Sequence, residues 1–181
     1  VQSGSDKILK AMNRRYTCGQ YLEEVKLLRT YFPEAELTTD IIVGFPGETE
    51  EDYLATEKLV REANFASAFT FVYSPRTGTK AASMPDQIPE SVQKDRIMRL
   101  VELVNSLTRK KSEKYLGKTV EILCEDYDEK KGLYLGRDEF GRMGYFKSET
   151  DRIGDFVNLK ITQANGISLF GETAEKENKE I

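Results

Sequence analysis

The chain has 181 residues, with 27 basic and 31 acidic side chains, a formal net charge of −4 and no histidine. The lack of histidine excludes a Ser-His-Asp triad, a Cys-His dyad and any His-ligated metal from this sequence. No apolar run approaches the roughly 20 residues of a membrane span, so we expect no membrane partner and a cytoplasmic location. The two cysteines, Cys18 and Cys124, are far apart in sequence and are expected to be reduced thiols.

The first part of the chain predicts strands that alternate with amphipathic helices. Helices placed between strands indicate crossover connections and a parallel sheet, which is an α/β fold. Because the chain starts within a predicted strand, we expect it to be a fragment of a longer protein. The predicted order is the end of a strand at Val1–Ser3, helices from Ser5 to Met12 and from Thr17 to Phe32, a strand at Leu37–Val43, a helix from Glu50 to Ala63 and a strand at Phe65–Tyr73.

The stretch Leu37–Thr49, LTTDIIVGFPGET, predicts a buried strand, a glycine-rich turn and the start of a helix. Thr49 with Asp52 three residues later is typical of a helix N-cap. Ligands of α/β sheets sit at the carboxyl ends of strands, so the turn Gly44–Glu48 is the first candidate binding site. Two alternatives stay open: the glycines serve only the turn, and Glu48 serves the start of the helix.

The second part of the chain has a different pattern. A long loop, Ser74–Pro89, precedes a helix predicted from Glu90 to Tyr115. Short segments with turn signals between them then predict a small all-β barrel with five strands. We therefore expect domains at 1–112 and 113–172 and a disordered tail at 173–181. The predicted strands are Lys118–Glu125, Gly132–Arg137, Met143–Phe146, Phe156–Thr162 and Ser168–Gly171.

Three segments, VQSGSDKILKAMNRRYT, TTDIIVGFPGETEEDY and AFTFVYSPRTGTKAASMPDQIP, together resemble the second half of the core of the radical S-adenosylmethionine (SAM) methylthiotransferases. The segment from about Glu113 to Glu172 resembles a TRAM domain, a small, OB-like RNA-binding barrel. The resemblance implies half of a partial (β/α) barrel, SAM, two [4Fe-4S] clusters and a tRNA anticodon stem-loop as substrate. It also implies the missing amino-terminal part of the same protein and donors of sulfur and electrons as partners.

This chain departs from the family in lacking the C-x-x-x-C-x-x-C motif that ligates the radical cluster. We therefore expect it to contain no metal ligands and to be inactive alone. MNRRYT, LTTDIIVGFPGET and AFTFVYSPRTGT together favour the branch that methylthiolates C2 of N6-isopentenyladenosine beside the anticodon. The branch that acts on threonylcarbamoyladenosine shares QSGS, GFPGE and the YS-R-GT pattern and stays an alternative, as does a non-catalytic tRNA-binding scaffold.

Candidate cofactor contacts lie in the predicted loops and strand ends, and none of them is a general acid or base. The amide of Gln2 could bond the ribose or the methionyl group of the cofactor, or belong to an ordinary polar turn. Arg14 could bind the cofactor carboxylate, or be a solvated loop residue. The resemblance places the cofactor beside Gln2, Ser3, Gly4, Arg14, Ile42, Val43, Gly44, Glu48, Tyr73 and Ser74.

Candidate RNA contacts are cations and aromatic faces. The predicted barrel has more acidic than basic residues, so any RNA-binding patch must be local. The alternative is a solvated barrel surface with half-buried tyrosines. The candidates are Arg76 in the long loop and Lys118, Arg137, Arg142, Tyr145, Phe146 and Lys147 in the barrel.

Overall fold

The computed structural model describes residues 1–174 and divides into two compact units. The first unit is Val1–Leu107, and the second begins at Thr108. The domain boundary between 112 and 113 remains a prediction. The tail predicted at 173–181 lies outside the described residues from position 175 onward.

The first unit contains the predicted alternation of helices and parallel strands. The predicted N-cap of Thr49 with Asp52 is formed as a capping box, and Thr17 with Gln20 forms a second one. A left-handed Asn64 ends the third helix. The elements up to Ser112, which include a last helix that continues past Leu107, are α1 (Asp6–Ala11), α2 (Cys18–Tyr31), β1 (Thr38–Val43), α3 (Glu50–Ala63), β2 (Ser67–Val72), a 3-10 turn at Lys80–Ser83 and α4 (Glu90–Ser112).

The first sheet has two parallel strands within residues 1–174, paired from Thr38 with Ser67 to Val43 with Val72. The strand predicted at Val1–Ser3 is wrong, because this segment makes only isolated bonds to β1, such as the 3.0 Å bond from Ile42 N to Gln2 O. The parallel sheet and its helices are confirmed.

Alternation along β1 separates a core face from an open face. Ile41 and Val43 are buried in the core that this unit builds with α3 and α4. Asp40 and Ile42 lie on the other face, in register with Phe69 and Phe71 of β2. Phe69 is 63% exposed and Phe71 is 51% exposed, so this face carries uncovered aromatic surface.

The second unit is a closed five-stranded barrel in the order β3-β4-β5-β7-β6, which confirms the predicted all-β barrel. Its core contains aliphatic residues and Phe146. Gly136 lies against the backbone of Leu123 on the neighbouring strand, so a side chain there would collide with it. The strands are β3 (Thr119–Asp128), β4 (Leu133–Arg137), β5 (Met143–Phe146), β6 (Phe156–Asn165) and β7 (Ser168–Thr173).

The helices of residues 1–174 include none that is both long and apolar enough to cross a bilayer.

Candidate functional site

Helix α4 fixes the turn after β1. Gly44 has a φ of 73° and donates its N–H to Glu48 Oε2 at 2.6 Å, which closes the turn on itself. Arg96 Nη1 donates to the same oxygen at 2.9 Å and to the Glu48 carbonyl at 3.1 Å. Gln93 Nε2 donates to the Gly44 carbonyl at 3.2 Å. The predicted glycine-rich turn is therefore held from both ends by one helix.

Glu48 is a buried member of this network and is not among the residues that line the cavity described below. It is 3% exposed, and burial raises the pKa of its carboxyl although the Gly44 amide and the Arg96 guanidinium favour the charged form. Its Oε1 has no hydrogen-bond partner among residues 1–174. The structure thus favours the alternative in which Glu48 and Gly44 shape the turn.

Ser3 and Gly4 are held against α3. Gly4 N donates to Thr56 Oγ1 at 2.8 Å, and the hydroxyls of Ser3 and Thr56 are 3.4 Å apart. A Cβ atom on Gly4 would collide with the backbone of Ala55 and Thr56. These two residues, like the core residue Val43, therefore lie behind the candidate site and support it.

An open cavity of about 1130 Å³ lies at the carboxyl end of the sheet in the first unit. It brings together six of the predicted site residues: Gln2, Arg14, Ile42, Tyr73, Ser74 and Arg76. Other lining residues were not predicted as contacts. They include Lys10, Met12, Asp40, Phe45, Phe71, Lys80 and Met84.

The missed lining residues on the strands follow from period-two alternation. Asp40 precedes the buried Ile41 and shares its face with the predicted Ile42. Phe71 pairs with Ile42 across the sheet. The sequence contained this signal, whereas nothing in it indicated that Lys10 and Lys80 would reach the same cavity.

The cavity has chemistry suited to a ligand with an aromatic ring and polar groups. Phe45 and Tyr73 meet edge to face with ring centroids 5.1 Å apart. The Tyr73 hydroxyl is buried and has no hydrogen-bond partner among residues 1–174, so a ligand atom could satisfy it. Arg14 supplies a guanidinium for a carboxylate and Ile42 an apolar surface for a ring. These residues fit SAM.

The described residues do not fit an iron–sulfur cluster. No group of three His, Cys, Asp or Glu side chains in residues 1–174 could hold a metal ion. Cys18 and Cys124 are free. Burial and a hydrogen bond involving Asp6 raise the pKa of Cys18 to about 12, which disfavours the thiolate that a cluster needs.

Two of the barrel residues predicted to contact RNA are buried. Phe146 is 1% exposed because even-numbered residues of β5 point into the barrel, so its ring is not available for stacking. Arg142 is buried and donates to Asp138 Oδ2 at 2.9 Å, with its guanidinium over the ring of Tyr115. These two predictions need correction: both side chains build the barrel.

The other predicted barrel residues lie on the surface. Lys118 and Lys147 are exposed, and Arg137 donates to both oxygens of Glu125 at 2.9 and 3.1 Å. Tyr145 stacks on Phe170 with centroids 4.9 Å apart, and Lys131 Nζ lies 5.1 Å from the Tyr145 ring. Phe170 and Lys131 were missed, because their proximity arises from strand pairing that the sequence does not show.

Comparison with known proteins matches both units to families. Residues 1–60 match the radical SAM superfamily, and residues 113–174 match the TRAM domain. Similar proteins are the tRNA-2-methylthio-N(6)-dimethylallyladenosine synthases of Clostridium botulinum (strain Langeland), 50% identical over 95% of this chain and 38% of that protein, and of Caldicellulosiruptor saccharolyticus, 47% identical over 95% and 36%. The protein of that name from Thermoanaerobacter sp. is 45% identical over 97% of this chain and 37% of its own length.

The chain thus spans somewhat more than a third of the length of the curated relatives it matches. The two family matches fall on the two different units, in the order that the sequence resemblance predicted. The similarity extends through both units without interruption by an unrelated segment, since it covers at least 95% of the chain. Over at least 95% of its length the chain is therefore similar to tRNA-2-methylthio-N(6)-dimethylallyladenosine synthases, with a radical SAM match in the first unit and a TRAM match in the second.

Proposed function

We propose that the full-length protein methylthiolates C2 of N6-isopentenyladenosine next to the anticodon of tRNA. This chain supplies part of the SAM pocket and the RNA-binding domain. The observation that carries the proposal is the 45–50% identity, over at least 95% of this chain, to proteins named as synthases of that modified nucleoside. A tRNA substrate would place the protein in the cytoplasm.

In this proposal the first unit is half of a partial (β/α) barrel whose inner face is the open face of the sheet. The exposed rings of Phe69 and Phe71 support it, because an inner barrel face is covered in the complete fold. SAM lies in the cavity, with Arg14 at its carboxylate and Ile42 against its adenine. Gln2, Tyr73 and Ser74 offer polar groups for the ribose or the methionyl end.

The remaining predicted cofactor residues act through the shape of the pocket. Glu48 and Gly44 fix the turn that carries Phe45 to the cavity, and α4 fixes Glu48. Ser3 and Gly4 fix the segment that carries Gln2. This chain therefore binds and orients the cofactor and keeps water from one side of it.

Bound SAM supplies the radical chemistry and the methyl group, with electrons from a reduced [4Fe-4S] cluster. We place both clusters on parts of the protein outside this sequence, because residues 1–174 offer no ligand set. The donors of sulfur and electrons are partners of the whole protein. The barrel contributes Lys118, Arg137, Tyr145 and Lys147 to the tRNA interface, and Arg76 contributes from the cavity mouth.

The test of the reaction is nucleoside analysis of tRNA from a strain without the gene. We expect the methylthio group to be lost from isopentenyladenosine and restored by the full-length gene. If the methylthio group is kept on isopentenyladenosine but lost from threonylcarbamoyladenosine, the protein belongs to the alternative branch. If both modifications persist unchanged, the chain belongs to a tRNA-binding scaffold and the enzymatic proposal is wrong.

The test of the pocket compares neighbouring arginines. Arg14→Gln removes a charge from the cavity, whereas Arg15→Gln removes one from the next residue, which does not line it. Loss of a hydrogen bond to a charged group costs about 1.5–3 kcal/mol, so Arg14→Gln should weaken SAM binding by roughly tenfold or more. Calorimetric titration of the full-length protein with SAM measures this. Equal SAM affinities of the two variants would show that Arg14 does not bind the cofactor.

A further inference from the structure

The mouth of the cavity is strongly basic in a chain that is acidic overall. Four exposed cations line it, Lys10, Arg14, Arg76 and Lys80, against one carboxylate, Asp40. The whole chain has a net charge of −4. Clefts that collect one sign of charge concentrate ligands of the opposite sign, so this mouth attracts anions.

These cations are available to a ligand. Within residues 1–174, none of the four is within ion-pair distance of a carboxylate. Arg99 in the same unit differs, because it is bound to Glu50 at 2.8 Å and to Asp95 at 3.1 Å. One carboxylate of SAM would use one cation, Arg14 in the proposal above. Arg76 is assigned above to the tRNA interface, whereas Lys10 and Lys80 have no role in that proposal; these three cations are here called the basic rim.

The loop after β2 places two of the rim residues on one short folded segment. The Arg76 carbonyl accepts hydrogen bonds from Thr79 N at 3.1 Å and Thr79 Oγ1 at 2.8 Å. Lys80 follows directly and begins a 3-10 turn. Lys10 reaches the same cavity from α1. Segments of defined backbone structure thus bring all three rim charges to the lining of one cavity.

An exposed aromatic face lines the same cavity as the basic rim. Phe71 lines the cavity and is 51% exposed. Grooves that combine cations with aromatic faces are typical of single-stranded nucleic-acid binding, since phosphates pair with the cations and bases stack on the rings. An enzyme that reacts with a base must also take that base out of its stack.

We propose that the basic rim binds the phosphates of single-stranded RNA on either side of the base that enters the cavity, and that this base stacks on Phe71. The inference rests on the proposed function, because it takes the RNA substrate from there. It extends the RNA contact already proposed for Arg76 to Lys10, Lys80 and Phe71, in addition to the RNA site expected on the barrel. Arg76 and Lys80 hold the backbone while SAM occupies the deeper part of the cavity.

The test measures binding of the full-length protein to a fluorescent RNA hairpin with the anticodon stem-loop sequence over a range of salt concentrations. Arg76→Gln and Lys80→Gln should each weaken binding about two- to fivefold, as expected for loss of an exposed ion pair. Each should reduce the slope of log K against log salt by about 0.7, the value for one phosphate of a single strand. Arg61→Gln and Lys26→Gln on exposed helical positions are the matched controls and should leave both quantities unchanged.

Two further measurements separate the possible outcomes. Arg76→Lys keeps the charge and should restore most of the affinity and the salt slope, which a folding defect would not allow. The affinity for SAM should be unchanged in Arg76→Gln and Lys80→Gln. A loss of SAM affinity in these variants would mean that the rim binds the cofactor, and it would overturn the proposal. Rim variants that bind RNA like the wild type would also overturn it. If the wild-type protein binds no RNA, the proposed function itself fails.

Discussion

The two units differ in how they use arginine. In the barrel, each arginine between residues 113 and 174 is paired with an acidic residue: Arg137 with Glu125, Arg142 with Asp138 and Arg152 with Asp155, all at 2.9–3.0 Å. At the cavity of the first unit, Arg14 and Arg76 have no acidic partner among residues 1–174. An ion pair on the surface contributes little or nothing to the stability of a fold. Exposed charges without a partner, by contrast, attract ligands of the opposite charge. The arrangement of the partners therefore matters more than the number of charges.

The first unit also shows the opposite use of charge, in its interior. Arg96 and Glu48 form a buried pair at 2.9 Å whose side chains are 5% and 0% exposed. A buried pair is expensive to break, because the remaining charge is left without a partner in a poorly solvated place. One unit thus contains both a buried structural arginine and exposed arginines without an acidic partner among residues 1–174.

The largest predicted effect comes from breaking the buried pair. Arg96→Met leaves the Glu48 carboxylate buried without its cation and should lower the free energy of unfolding by about 3–5 kcal/mol. The turn Gly44–Glu48 would also lose its anchor on α4, so SAM affinity should fall with it. Urea denaturation of the chain and calorimetric SAM titration of the full-length protein measure the two effects.

Arg99→Met is the matched control, since Arg99 lies on the same helix but its side chain is 36% exposed and its partners Glu50 and Asp95 are exposed. It should cost at most about 1 kcal/mol. The double variant Glu48→Gln/Arg96→Met should be more stable than Arg96→Met alone. Equal destabilisation by Arg96→Met and Arg99→Met would show that the buried pair is not special.

The helices and strands could be predicted from the sequence because the local sequence signals agree with the tertiary packing. The capping boxes at Thr17 and Thr49 form, and the apolar run Ile41–Val43 lies in the parallel sheet. The closed barrel follows from five short segments between turns. These signals depend on neighbouring residues, which a sequence displays directly.

The site was harder to predict because it depends on which way each side chain points. Tyr145 and Phe146 were both predicted to face RNA, yet neighbouring residues of a strand face opposite sides, and only Tyr145 can be outside. Ser3 and Gly4 follow Gln2, which lines the cavity, but their hydrogen bonds to Thr56, more than 50 positions away, hold them against α3 instead. The pairing of Arg142 with Asp138 likewise depends on the folded turn.

The barrel has its own buried pair, which should matter less. Asp138 accepts hydrogen bonds from Phe140 N and Arg142 N at 2.9 and 2.8 Å and from the Arg142 guanidinium at 2.9 Å. Asp138→Ala removes these acceptors and should cost about 1–3 kcal/mol, the range for unsatisfied buried donors. Glu139→Ala is the control, as its side chain is exposed. Unfolding of the barrel followed by tyrosine fluorescence measures the difference, and similar stabilities would contradict it.

Acid should weaken the first unit through Asp52. Burial alone would raise the pKa of Asp52, but hydrogen bonds from Lys7, Ser5 and Thr49 outweigh it and lower the pKa to about 2, from an ordinary value of 3.8. The folded state therefore holds this proton less tightly than the unfolded state. The stabilisation is complete above about pH 4 and is lost as the pH falls toward 2.

Calorimetric melting of the wild type and Asp52→Asn at several pH values tests this contribution. The difference in melting temperature between them should be largest near neutral pH and should shrink between pH 4 and pH 2. A difference that stays constant over that range would mean that Asp52 stabilises the segment around Ser5 without its charge.

The smallest predicted effect is a gain, and it tests the contrast between paired and unpaired arginines directly. Glu125→Gln removes the acidic partner of Arg137 and should free its guanidinium for phosphate, while leaving the barrel intact because both side chains are partly exposed. RNA affinity should rise by about twofold, as expected for one exposed ion pair. Glu139→Gln changes the net charge equally but has no cation partner among residues 1–174. An equal rise in both variants would mean that overall charge, and not the release of Arg137, sets RNA affinity on the barrel.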